Sequence, residues 1–238
     1  MRRVFAIARR EVQSYFDLPI AYVVLPAFWV LGALYLFVLH PYFVVGRTTL
    51  RPFFEFAPFI FTLFVPALSM RLIAEEHRSG NIEVLLTWPL GDGELVAGKF
   101  LGAFLLLALA VVATAPFPLM VAALGPLDWG PVFGGYLGLL LLGGAYLGIG
   151  LLASALTRNQ IVAFIGGFLA CFSLYVVGKA LPVLPAAVTP WVEAISFDLR
   201  FAGIARGVVE LGDVAFFVGV IGVSIGLAAE VLGARRWR

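Results

Sequence analysis

Cysteine occurs once in these 238 residues, and histidine only twice. The lone Cys171 lies in an apolar run and has no partner for an internal disulfide. His40 and His77 are too few for a histidine-rich metal cluster, and neither H-E-x-x-H nor G-x-S-x-G occurs. Charge is scarce as well. Asp, Glu, Lys and Arg make up 13% of the chain, with a formal net charge of +2. A soluble domain carries about a quarter charged residues, so these side chains cannot cover a water-facing surface of this size. The small net charge gives no footprint for nucleic acid. Apolar residues are plentiful instead: 62% of the chain is hydrophobic and the mean hydropathy is +1.04. Lipid is the solvent that suits such a chain.

Six stretches contain no Asp, Glu, Lys or Arg: 18–46, 56–70, 100–127, 129–157, 159–178 and 214–229. A spanning helix needs about 20 mostly apolar residues. Four runs reach that length; the second and sixth do so if Arg71 and Glu230 snorkel to the interface. The expectation is an all-α polytopic membrane protein with six transmembrane helices near 19–39, 54–73, 96–123, 132–156, 160–180 and 212–232. No acidic residue falls at the centre of a span, so no proton or sodium relay is evident. Ala6-Ile7-Ala8 has the form of a signal cleavage site, but no apolar stretch precedes it, and no removable leader is expected.

Six spans place both termini on one side. Arg2, Arg3, Arg9, Arg10, Arg71, Arg78, Lys99, Arg158, Arg235, Arg236 and Arg238 then share that side, against Arg47, Arg51, Lys179, Arg200 and Arg206 on the other. Eleven basic residues against five favour cytosolic termini. The expected location is the cytoplasmic (inner) membrane, multi-pass.

Within the spans, Pro26, Pro58, Pro66, Pro116 and Pro118 should kink or end helices. The pairs Gly134/Gly138, Gly144/Gly148 and Gly222/Gly226 allow close backbone approach, within one subunit or between two. Residues 1–17 form an amphipathic unit ahead of a six-helix transmembrane domain at 18–238. Val4, Phe5, Ala8, Val12, Tyr15 and Phe16 share one third of the helical wheel, with Arg2, Arg3, Arg9, Arg10 and Gln13 opposite. This is the pattern of a helix lying in the membrane surface, its arginines near lipid phosphates, or of a simple topology anchor.

The loop at 74–92 concentrates Glu75, Glu76, Arg78 and Glu83, then places Ile82, Leu85 and Leu86 on one helical face. Gly80 opens that short helix and Pro89 limits it. It reads either as a docking element or as a solvated connector. Asp92 is expected to cap the third span, with Glu94 in its first turn. Nearby, Gly93-Glu94-Leu95-Val96-Ala97-Gly98-Lys99 fits a phosphate-binding loop, but Phe100 stands where the magnesium-binding hydroxyl belongs and no strand precedes it. No ATP site is expected on this chain. Residues 182–213, with Trp191, Phe197 and Phe201 among scattered charges, are too polar to span; they suit short external re-entrant helices or a loop.

Several segments carry a resemblance. They include Arg10-Glu11-Val12-Gln13-Ser14-Tyr15-Phe16, Leu18-Pro19-Ile20-Ala21-Tyr22-Val23, Leu50-Arg51-Pro52-Phe53-Phe54 and Pro66-Ala67-Leu68-Ser69-Met70-Arg71. With them go Ala74-Glu75-Glu76-His77-Arg78-Ser79-Gly80-Asn81-Ile82-Glu83, Gly98-Lys99-Phe100, Leu156-Thr157-Arg158-Asn159-Gln160 and Ala205-Arg206-Gly207-Val208-Val209. Over nearly its whole length the chain resembles permeases of the type-2 ABC exporter superfamily, close to the gliding-motility group. Asn81 stands where relatives often carry Thr.

The resemblance implies six spans, an N-terminal interfacial helix and a cytosolic coupling helix. It also implies pairing with a second permease subunit, as a homo- or heterodimer, and with a separate cytosolic ABC ATPase that holds the ATP and Mg. An extracytoplasmic auxiliary protein accompanies some members. The expected function is export across the cytoplasmic membrane driven by that ATPase. The alternative is a mechanotransmitting permease that drives an external protein without moving a substrate. Glu75, Glu76, Arg78 and Glu83 would be polar contacts to the ATPase, and Ile82, Leu85 and Leu86 the docking surface. No catalytic, cofactor or metal residue is assigned.

Overall fold

In hydrocarbon, backbone N–H and C=O groups must bond within the chain, so charge-free apolar runs fold as helices. The computed structural model describes residues 2–39, 48–79, 91–181, 185 and 189–235. Its regular elements are helical, with no strand among the described residues. They are α1 (Arg2–Asp17), α2 (Ile20–Ala33, continued by a π-helical segment Leu34–Leu39), α3 (Arg51–Ser69), α4 (Ala74–Ser79), α5 (Asp92–Val112) and α6 (Pro116–Leu124). After these come α7 (Trp129–Leu156), α8 (Gln160–Ala180), α9 (Thr189–Ile195), α10 (Phe197–Ala205) and α11 (Leu211–Arg235).

Six segments among the described residues are long and apolar enough to cross a membrane: Ala21–Leu39, Arg51–Arg78, Asp92–Leu124, Trp129–Leu156, Gln160–Ala180 and Leu211–Ala234. The second, third and sixth run further than the charge-free stretches; in these extensions Arg71 and Lys99 are buried, while Arg51 and Arg78 are exposed. The second, third and fourth form the inner layer, with 61–67% of each apolar window buried; the other three are 17–22% buried and face outward. The central α7 packs against α3, α5, α8, α10 and α11. A cluster of Phe28, Phe53, Phe61 and Phe117 fills the space between α2, α3 and α6.

The prolines act unequally. Pro26 sits inside α2 without ending it, and Pro58 lies inside α3. Pro66 lies near the end of α3, which stops at Ser69. The third span breaks at 113–115, just before Pro116, whose ring cannot continue the hydrogen-bond ladder. Tyr136 of α7 compensates by donating its hydroxyl to the Thr114 carbonyl at 2.9 Å.

Two of the three glycine pairs serve packing within the chain. Gly134 abuts the Ile204 carbonyl and Gly138 the Phe201 ring, while a methyl group on Gly144 or Gly148 would lie 3.0 Å from Ile221 or Ser224. Gly222 and Gly226 face away: a methyl group on either would have no described atom within 4 Å.

Other expectations need correction. The residue before the first turn of α5 is Gly91, not Asp92; Glu94 reaches back to accept the Gly91 N–H at 3.4 Å. Arg71 does not snorkel toward lipid: it is 8% exposed and bound within the protein. The amphipathic α1 turns its narrow face to α5, burying Ala8 and Tyr15 and leaving Phe5 63% exposed. Its apolar face is thus shared between protein and surroundings. Residues 189–205 do form two short helices, and α10 wedges between α7 and α8 with Phe197, Phe201 and Ile204 buried. His40 lies outside the described residues.

Candidate functional site

The first turns of α1 and the last of α11 lie at one end of the bundle, where α1 crosses α5 and Gly233 approaches the Asp92 carboxylate. The crossing depends on Gly98 and Gly102, one helical turn apart. A methyl group on Gly98 would sit 2.7 Å from Ile7 Cβ, and one on Gly102 would sit 2.6 Å from Glu11 Cβ and 2.9 Å from the Ala8 carbonyl. Absence of side chains at these two positions lets α1 lie directly on the α5 backbone.

Between the two glycines stands Lys99, only 4% exposed. A buried ammonium requires partners, and it has two. Its Nζ is 3.2 Å from Glu11 Oε2 on α1 and 2.7 Å from Glu76 Oε1 on α4. One cation therefore joins three helices. Arg71 makes a parallel connection: its guanidinium donates to Ser14 Oγ at 2.7 Å, lies 3.4 Å from Glu75, and stacks 5.2 Å above the Tyr15 ring. Tyr15 in turn donates to the Leu68 carbonyl at 2.8 Å. Burial, reinforced by Glu11, holds its phenol pKa well above the usual value and keeps that donor neutral.

The break between α3 and α4 has its own fastening. The buried Ser154 hydroxyl on α7 donates to the Met70 carbonyl at 2.9 Å and accepts the Ile73 and Ala74 N–H groups at 3.1 and 3.0 Å. Those N–H groups stand at the start of α4, where intrahelical acceptors are lacking. So α4 is held by Ser154 on α7, Lys99 on α5 and, through Arg71, by α1.

The expected site residues divide accordingly. Glu75 and Glu76 are engaged within the chain, Glu75 remaining half exposed. Arg78 is exposed on the last turn of α4 and makes no ion pair among the described residues. Gly80, Ile82, Glu83, Leu85 and Leu86 lie outside the described residues. Arg2, Arg3, Arg9 and Arg10 are all exposed, and Arg3 is 3.8 Å from Glu94. Sequence reasoning missed Glu11, Ser14, Tyr15, Lys99 and Ser154 as parts of this assembly. One signal was available: Lys99 opens an apolar run, and a lysine placed there needs a nearby carboxylate.

A family profile described as ABC-2 family transporter protein matches residues 12–192, about three quarters of the chain. This protein belongs to the ABC-2 transporter family. Among curated proteins it is similar to a "Probable ABC transporter permease protein NosY" of Pseudomonas aeruginosa, 45% identical over 56 residues. That match spans 24% of this chain and 20% of the relative. A protein of the same description from Stutzerimonas stutzeri is 39% identical over 64 residues, 27% of this chain and 23% of the relative. The matches thus cover about a quarter or less of the curated relatives' length.

Proposed function

We propose that this ABC-2 family member is the permease subunit of an ABC exporter, with the end carrying both termini in the cytosol of the inner membrane. The observation that carries this reading is the three-point attachment of α4. This short helix continues the second span and leads at Ser79 into residues 80–90, the segment proposed to dock a separate ATPase. A helix fastened to α7, α5 and α1 moves with them. A push on residues 80–90 during ATP-driven closure of the ATPase would therefore reach the inner layer through Glu76–Lys99, Arg71 and Ser154. In this scheme Glu76 acts by positioning α4, while Arg78 and the residues after it face the partner. ATP and Mg bind the ATPase, and two permease subunits, alike or different, share the work.

The alternative in which the permease drives an extracytoplasmic protein uses the same lever. Residual space between α2, α3 and α5 is about 10 Å³, no more than a single water molecule needs.

The test is Leu85→Asp in the tagged permease co-expressed with its ATPase. A buried leucine contributes about 1.5–3 kcal/mol, and a desolvated carboxylate without a partner costs several more. The ATPase should be lost from the purified complex while the permease still inserts. Normal co-purification and turnover would show that residues 80–90 are a solvated connector.

A further inference from the structure

At the end of the bundle away from the termini, α3, α7, α8 and α10 enclose a cavity of about 260 Å³. Its wall is apolar, formed in part by Phe54, Pro58, Val132 and Phe201, and its rim is charged. Two rim pairs are internally satisfied: Arg51 with Glu55 at 2.9 Å, and Lys179 with Asp198 at 2.8 Å. Two groups remain. Arg206 donates its Nε–H to the Ala202 carbonyl at 3.1 Å, and its two Nη groups make no ion pair among the described residues. Asp128 accepts the Gly130 N–H through Oδ1 at 3.0 Å and likewise makes no ion pair among them.

The fold brings the segments that carry these two groups together at the cavity. Gly207 turns the chain with φ of 89°, and a methyl group there would lie 3.0 Å from the Gly130 carbonyl carbon and 3.2 Å from the Pro131 nitrogen. Any side chain at 207 would push the Arg206 segment away from the Asp128 segment.

We infer that this cavity binds an amphiphile whose headgroup joins a phosphate diester to a primary amine, as in phosphoethanolamine. The guanidinium fork of Arg206 matches two phosphate oxygens. Asp128 Oδ2 takes the ammonium, and the carbon skeleton beyond the phosphate rests against Phe54, Pro58 and Phe201. Charge selects this class over an anionic one. Three basic and three acidic side chains line the site, so the rim has no net charge to attract a plain anion, while the exposed Arg206 and Asp128 make no ion pair among the described residues. Size agrees, because the volume falls just below the roughly 300–1,000 Å³ of drug-sized pockets and suits a headgroup rather than a bulky cargo. The site is independent of ATPase coupling at the opposite end.

The experiment is native mass spectrometry of the full chain in detergent, titrated with phosphatidylethanolamine or phosphatidylglycerol of identical acyl chains. The wild type should retain phosphatidylethanolamine about tenfold better, the scale of one charge-assisted contact. Asp128→Asn should abolish that preference, and Arg206→Gln should lower retention of both lipids, which share the phosphate. Arg206 is exposed and Asn still caps α7, so both variants should fold, with unchanged helical circular dichroism. Competition by soluble glycerophosphoethanolamine would show that the headgroup suffices and that a soluble source can fill the site. Failure to compete, with the lipid preference intact, would assign the source to the membrane. Equal retention of the two lipids by the wild type, a preference that survives Asp128→Asn, or unchanged retention in Arg206→Gln would overturn the inference.

Discussion

Replacing Lys99 with methionine isolates the buried ion triad. The substitution keeps most of the side-chain volume but leaves Glu11 and Glu76 facing one another without a cation. Their side chains are 12% and 23% exposed, so neither can fully recover its hydration. Removing one partner of a buried pair costs roughly 3–5 kcal/mol, and the residual exposure argues for about 3 kcal/mol here. Glu76→Gln is milder. Lys99 keeps Glu11, and the amide oxygen still accepts, so the loss is about 1 kcal/mol.

Combining the two should recover about 1–2 kcal/mol relative to the sum of the single effects, because the combined variant no longer holds two opposed carboxylates. Unfolding in graded SDS within mixed micelles, followed by helical circular dichroism, measures all three. Turnover of the assembled ATPase complex then reports coupling: Glu76→Gln should assemble normally yet couple poorly, since α4 has lost its strongest tie to α5. Equal stability of Lys99→Met and Glu76→Gln, with strict additivity in the combination, would refute the triad as a structural joint.

Ser154→Ala removes one hydroxyl that serves three backbone groups and leaves two N–H groups at the start of α4 without their acceptor. At about 1–3 kcal/mol for a buried unsatisfied group, a loss of roughly 2–4 kcal/mol in the same SDS titration is expected. Gly102→Val should cost about 1–3 kcal/mol by overpacking and lift α1 from α5, read as faster tryptic cleavage at Arg9 and Arg10 than in the parent. For topology, a cysteine at Thr48 should react with an impermeant maleimide from outside whole cells and one at Ser79 should not, the native Cys171 being buried; the opposite pattern would invert the assigned orientation.

The number of spans was legible from composition because lipid leaves the backbone few choices. A run of some 20 residues without charge must become a helix whatever surrounds it. That physics placed the spans within a few residues at most boundaries; within the segment read as too polar to span, residues 189–205 form two short helices, while Leu211–Asp213 belong to the sixth span. The amphipathic pattern of residues 2–17 likewise foretold α1. What it bears against was not legible, since an apolar face has the same periodicity against lipid as against protein. Only the packing of α1 on Gly98 and Gly102 decided that.

The buried polar assembly around Lys99, Arg71 and Ser154 stayed hidden for a similar reason. Ser14 meets Arg71 across 57 positions, Ser154 meets Ala74 across 80, and Glu11 meets Lys99 across 88. No local spacing encodes such pairs. The sequence supplied a set of charged and hydroxyl groups at the margins of apolar runs, each costly to bury alone. The tertiary fold decided which ones meet. It joined α1, α4, α5 and α7 at one end, and at the other it left Arg206 and Asp128 without ion-pair partners among the described residues.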